Sequence, residues 1–116
     1  MRFLSTFILA VVLSAVSHFA LALESEEQVI RRAEWPTYVN GSNVSALPQL
    51  RRILSRFSEN DRMSITIYYP GGVQGTEWAQ QLYNWFVAYG VPMRYLKMEL
   101  GSGAVDQLRL VLVDKG

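Results

Sequence analysis

Apolar residues recur along the chain in four distinct patterns. The first is a continuous run. After Met1-Arg2, residues 3–16 are apolar except for Ser5, Thr6 and Ser14, and the run closes on Ala20-Leu21-Ala22. A charged start, a short apolar stretch and a small-x-small ending form a secretory leader. The run is shorter than the roughly 20 apolar residues that span a bilayer. Cleavage after Ala22 is expected, with a retained anchor helix as the alternative.

The second pattern has helical spacing. Leu47, Leu50, Ile53, Leu54 and Phe57 fall on one side, and Arg51, Arg52 and Arg56 on the other. Ser45 is a possible cap and Pro48 suits an early helical position. Trp78, Leu82, Trp85, Phe86 and Tyr89 repeat the spacing in a longer stripe. That helix is expected to be capped by Thr76, run to about Tyr89, stop at Gly90 and be barred from resuming by Pro92. Upstream, residues 25–33 read as a short helix capped by Ser25 with acids in its first turn. Trp35-Pro36 ends it and Asn40-Gly41 signals a turn.

The third pattern alternates. In MSITIYY, Met63, Ile65, Ile67 and Tyr69 share one face, while Ser64, Thr66 and Tyr68 share the other. Residues 94–100 and 108–113 complete three predicted strands. Strand, helix and strand form a right-handed crossover with parallel strands. The short Gly101-Ser102-Gly103 turn then predicts that the last strand pairs antiparallel with the second. The expected fold is α/β (α+β), in two layers. It has a small mixed sheet of about three strands with helices on one face, a β-α-β crossover and an antiparallel C-terminal strand. The chain divides into a leader over 1–22, a short helix and irregular segment over 23–44, and an α/β domain over 45–116.

Composition narrows the chemistry. Without the leader, 94 residues remain, a single small domain. Arg2 leaves with the leader, so ten Lys and Arg balance ten Asp and Glu. No basic excess points to direct nucleic-acid binding. The chain has no cysteine, and its one histidine, His18, lies in the leader. Ser-His and Cys-His nucleophiles, zinc sites of the usual kind and histidine acid-base catalysis are therefore excluded. Lipoprotein processing, which needs a cysteine, is excluded as well. An exported domain without disulfides fits a bacterial periplasm. No catalytic, metal-binding or cofactor-binding residue is expected.

The fourth pattern is the loop YPGGVQGTEW, residues 69–78. Gly71, Gly72, Gly75 and Thr76 would form a backbone anion site if the loop cradled a phosphate. A nucleotide loop requires a lysine after its last glycine, and Thr76-Glu77 stands there instead. Glu77 would also repel a phosphate. The plainer reading is a chain-reversing turn. The arginine group of residues 51, 52 and 56 is either an anion site or a solvated face. Glu77 and Glu99 are the carboxylates able to meet at one end of the sheet, and Glu24-Ser25 resembles the Glu-Ser pair of lytic transglycosylases only in residue type. Aromatic residues are numerous, and Trp35, Tyr68 and Tyr83 are the candidate partner contacts.

Two resemblances follow from these segments. Residues 45–114 carry Pro70-Gly71-Gly72, Trp78-Ala79, Tyr89-Gly90-Val91-Pro92 and a C-terminal strand. This run resembles a small exported protein family of bacterial integrating conjugative elements. The resemblance implies a periplasmic, non-enzymatic accessory that contacts other proteins of a type IV secretion-like conjugation complex. No stable transmembrane anchor would remain after cleavage. The cadence from Trp78-Ala79 through Gly90-Val91-Pro92 to Arg94, Gly101 and Gly103 is also similar to the peptidoglycan-binding domain of the outer-membrane protein A type. That likeness implies peptidoglycan as an alternative partner. Two departures stand at its ligand site: Tyr69-Pro70-Gly71-Gly72 replaces the family's loop aspartate, and Trp78 replaces the arginine that holds the peptide carboxylate.

Overall fold

The computed structural model describes residues 24–57 and 62–114. The expected leader and the exit loop at residues 58–61 lie outside the described residues. Four strands form one mixed sheet: β1 (Glu24–Arg31), β2 (Met63–Tyr69), β3 (Leu96–Leu100) and β4 (Gln107–Asp114). Three helices accompany them: α1 (Gly41–Ser45), α2 (Pro48–Arg56) and α3 (Val73–Ala88). Short 3-10 turns cover Arg32–Glu34 and Met93–Tyr95. The α+β class and the single helical layer agree with the sequence reading, with four strands rather than about three.

The additional strand is the segment expected to be helical. All eight residues of β1 pair antiparallel with β4, from Glu24 opposite Asp114 to Arg31 opposite Gln107. Residues 25–33 contain only the adjacent pair Val29-Ile30 and Ala33 as apolar residues, too few for a helical stripe to bury. As a strand, the segment turns Ile30 into the core and sets Glu26 and Gln28 beneath α2. Backbone pairing with a strand some eighty residues away overrides the local helix signals.

The C-terminal strand also takes a different place. The strand order is β1-β4-β2-β3, so β4 lies between β1 and β2 and is antiparallel to both. The neighbour expected for it, β3, instead pairs only with β2, in parallel, at the sheet edge. The connection after Leu100 crosses the end of β2, where the Gly101 amide donates to the Tyr69 carbonyl at 2.9 Å. Gly101 and Gly103 adopt φ of 107° and 96°, which side chains resist, and this lets the chain turn back across. A central position suits β4, whose Leu108, Leu110 and Leu112 are all buried.

One face of the sheet holds the core. Ile30, Ile65, Ile67, Leu96 and the three β4 leucines meet Leu50 and Ile53 of α2 and Trp78, Ala79, Leu82 and Phe86 of α3. The helical stripe is therefore only partly as expected: Trp85 and Tyr89 are half-buried at the rim, and Ala79 takes a core place. Pro48 is the first residue of α2, but Ser45 does not cap it. The capping side chain is Asn40, whose Oδ1 accepts from the Asn43 amide at the start of α1. Among the described residues, the sheet's opposite face carries no helix.

Candidate functional site

β1 and β2 run parallel on either side of β4, so their carboxyl ends emerge together beside the first turns of α3. Three segments converge there: the turn after β1, the start of α3 and the loop before β4. The Arg32 amide donates to the Asp106 carbonyl at 2.6 Å, joining the first segment to the third. The Arg32 guanidinium lies 4.7 Å from the centroid of the Trp78 ring. Trp35 packs edge-on against the same ring, with centroids 6.0 Å apart. These contacts build two adjoining shallow clefts. One, of about 120 Å³, is lined by Arg32, Gln74, Gly75, Trp78, Val105 and Asp106. The other, of about 290 Å³, adds Glu77 and Gln81.

Electrostatics distinguish this place. No carboxylate pairs with Arg32 among the described residues. Cation–π attraction holds the guanidinium over Trp78 while leaving its donors open. The Trp78 indole N–H is buried and has no hydrogen-bond partner. A buried donor left without an acceptor costs about 1–3 kcal/mol. One open cation and one orphan donor therefore sit on the same ring, with Asp106 and Glu77 on the walls.

A second polar arrangement backs the site. Gln49 of α2 donates through Nε2 to the Val29 carbonyl at 3.0 Å and to Glu34 Oε2 at 2.8 Å. The other Glu34 oxygen accepts from the Arg31 amide at 2.9 Å. That amide, with help from Gln49, holds the Glu34 carboxyl below its ordinary range. The turn carrying Arg32 is thus fastened on both sides.

The fold itself accounts for two of the four loop residues. The helix begins at Val73 with Gly72 as its cap at φ 92°, so Thr76, the expected cap, lies inside its first turn. Gly75 lies inside α3, and a Cβ there would stand 2.2 Å from the Pro70 carbonyl oxygen. Close packing explains this glycine. The Thr76 hydroxyl donates to the Gly72 carbonyl at 2.9 Å, an internal use rather than a ligand contact. Gly71 is exposed with nothing nearby.

Of the candidate partner contacts, Trp35 touches the Trp78 ring but does not line either cleft. Tyr68 lies on the bare face of the sheet, where the Arg109 guanidinium stacks 4.1 Å from its ring centroid. Tyr83 is half-buried on α3 and packs against the core rim, away from both clefts' lining. Glu77 and Glu99 are not brought together: Glu77 is on the helix side, whereas Glu99 shares the bare face with Tyr68, its partner in register. The arginine row is neither a free anion site nor wholly solvated. Arg52 bonds Glu26 at 2.7 Å and Arg56 approaches it at 3.4 Å, while Arg51 is exposed. Arg52, with a hydrogen bond from Gln28, lowers the Glu26 pKa below the ordinary glutamate range.

Arg32, Gln74 and Asp106 escaped the sequence reading. Arg32 fell inside the segment read as helical, and only the loop's return across β2 brings Asp106 beside it. Among the described residues no three His, Cys, Asp or Glu side chains converge as a metal site would need, and no helix is long and apolar enough to cross a membrane. The chain matches no protein-family model, and no curated protein matches it significantly.

Proposed function

We propose that this chain is a non-enzymatic component of the bacterial periplasm that serves an integrating conjugative element by contacting other proteins of its transfer apparatus. The observation that supports a binding role most directly is the Arg32–Trp78 pair. An open guanidinium held on an aromatic face calls for an acceptor, and a carboxylate of a partner chain supplies one. Trp35 packs against the other side of this pair, on the Trp78 ring, and steadies it. Deleting the gene should lower transfer frequency, and an Arg32→Ala version should fail to restore it while folding normally. Unchanged transfer in the deletion strain would remove this reading.

One observation favours peptidoglycan as an alternative partner. In the resembled cell-wall domain an arginine holds the peptide carboxylate, and Trp78 occupies that position here. Arg32 sets a guanidinium 4.7 Å from the Trp78 ring from a different segment. Co-sedimentation of the purified protein with isolated sacculi tests it. Retention that Arg32→Ala abolishes favours the cell wall over a protein partner.

A further inference from the structure

The face of the sheet away from the helices has a regular charge pattern. Across its middle, the register aligns Glu27, Val111, Thr66 and Lys97, one residue from each strand in the order β1-β4-β2-β3. The next row aligns Val29, Arg109, Tyr68 and Glu99. A third aligns Ser25, Val113 and Ser64. No helix of the described residues lies over these rows. In the first row the centre is uncharged, at Val111 and Thr66, with Glu27 at one edge and Lys97 at the other. In the second row Arg109 stands in the centre, and Glu99 joins Lys97 at the β3 edge.

The order of the first row is self-complementary. Consider a two-fold axis parallel to the strands, lying above the face midway between β4 and β2. It carries each edge strand over the opposite edge strand of a second copy. Glu27 then lies over the other copy's Lys97, and Lys97 over its Glu27, so one pair becomes two by symmetry. Val111 meets Thr66 at the centre. Arg109 meets the other copy's Tyr68 ring, the type of ring it already covers within its own chain at 4.1 Å. In the second row, Val29 lies opposite Glu99, which adds no charge pair, and the two Arg109 side chains become diagonal neighbours across the axis, a like-charge contact that Glu27 of each chain, 3.5 Å away, partly offsets. Lys97 has no carboxylate partner among the described residues, and Glu27 is held only loosely, 3.5 Å from Arg109 Nη1 with 55% of its side chain exposed.

We propose that this face binds a second copy of the chain, forming a two-fold sheet-on-sheet dimer registered by reciprocal Glu27–Lys97 pairs. Two sheets stacked this way pack about 10 Å apart with strands roughly aligned. Strand spacing and rise give the face roughly 400 Å², about half of a standard partner surface. The dimer is accordingly weak, with dissociation in the micromolar range. The Arg32–Trp78 cleft belongs to the helix layer, so the dimer would present two such clefts facing away from the shared interface.

Sedimentation velocity of the purified protein tests the proposal, after its N-terminus has been read by mass spectrometry. The wild type should shift from monomer to dimer with concentration, less readily at high salt. Glu27→Lys and Lys97→Glu should each weaken self-association by about tenfold or more, because each sets like charges opposite each other twice. Mixing the two variants should restore the dimer, since both pairs become complementary only between unlike chains. Monomer at all concentrations, or a mixture no tighter than its separate variants, would overturn the proposal. So would a dimer indifferent to both substitutions. A second measurement serves if either reversal impairs folding. The chain has no cysteine, so a mixture of Thr66→Cys and Val111→Cys chains should form a mixed disulfide faster than either forms its own. Equal rates would count against the two-fold.

Discussion

The Tyr89 hydroxyl donates to the Gly41 carbonyl at 2.7 Å, tying the residue that follows α3 to the first residue of α1. The same ring stacks on Trp85, with centroids 5.9 Å apart and planes 22° from parallel. Tyr89→Phe keeps the stack and removes only the hydrogen bond. It should cost about 1 kcal/mol in a urea melt. Burial raises the Tyr89 pKa above the ordinary tyrosine value. The contribution of its neutral hydroxyl is therefore present below about pH 10 and is lost as pH rises through the higher folded value.

Phe86 and Trp85 are adjacent in sequence and differ in burial. Phe86 is fully enclosed, whereas Trp85 is at the rim. Phe86→Ala should cost about 3–5 kcal/mol, as aromatic truncations in a core do. Trp85→Ala should cost about 1–2 kcal/mol, within the common range for partly covered sites. Equilibrium unfolding of both variants checks the order; equal losses would mean that Trp85 carries core packing.

Gly75→Ala should destabilise even though alanine is the better helix former. Helix propensity favours alanine by about 1 kcal/mol. The added methyl would meet the Pro70 carbonyl oxygen at 2.2 Å, and that backbone atom cannot swing aside as a side chain can. A net loss of about 1–3 kcal/mol is expected. Gly71→Ala, with nothing within 4 Å of the new carbon, should melt close to wild type.

Acid should weaken the fold through Glu26 and Glu34, whose carboxyls are both held below the ordinary value. A carboxylate with a depressed folded pKa contributes fully above its ordinary value of about 4.3, and that contribution is lost as pH falls through the folded value. Melting temperature should therefore fall below about pH 4.5. A Glu26→Gln variant should begin lower at neutral pH and lose less on acidification. Parallel curves for variant and wild type would show that the Arg52 pair is inert.

Arg32→Ala should leave stability within about 0.5 kcal/mol of wild type, because an exposed cation–π contact is worth little. Trp78→Ala should cost about 3–5 kcal/mol, since that ring is 3% exposed and belongs to the core. The two variants separate the roles: loss of partner capture with the fold intact points to the guanidinium. Urea melts alongside capture assays check both.

The sequence by itself determined the elements with strong periodicity. Alternation in MSITIYY, the stripe Trp78-Leu82-Phe86, Pro48 at the start of a helix and the leucines of β4 each state a local preference and a face to bury. Such signals are carried by neighbouring residues and survive in any fold that buries them. Tertiary structure alone decided the identity of β1, the central place of β4 and the meeting of Arg32 with Trp78 and Asp106. The physical reason is range. Val29-Ile30 is compatible with helix or strand, and eight backbone pairs with β4 settle the matter. A short glycine turn fits a hairpin or a return across β2, and the Gly101–Tyr69 hydrogen bond with burial of Leu108, Leu110 and Leu112 selects the return. The cleft exists only once those non-local choices are made, so no run of neighbouring residues could announce it.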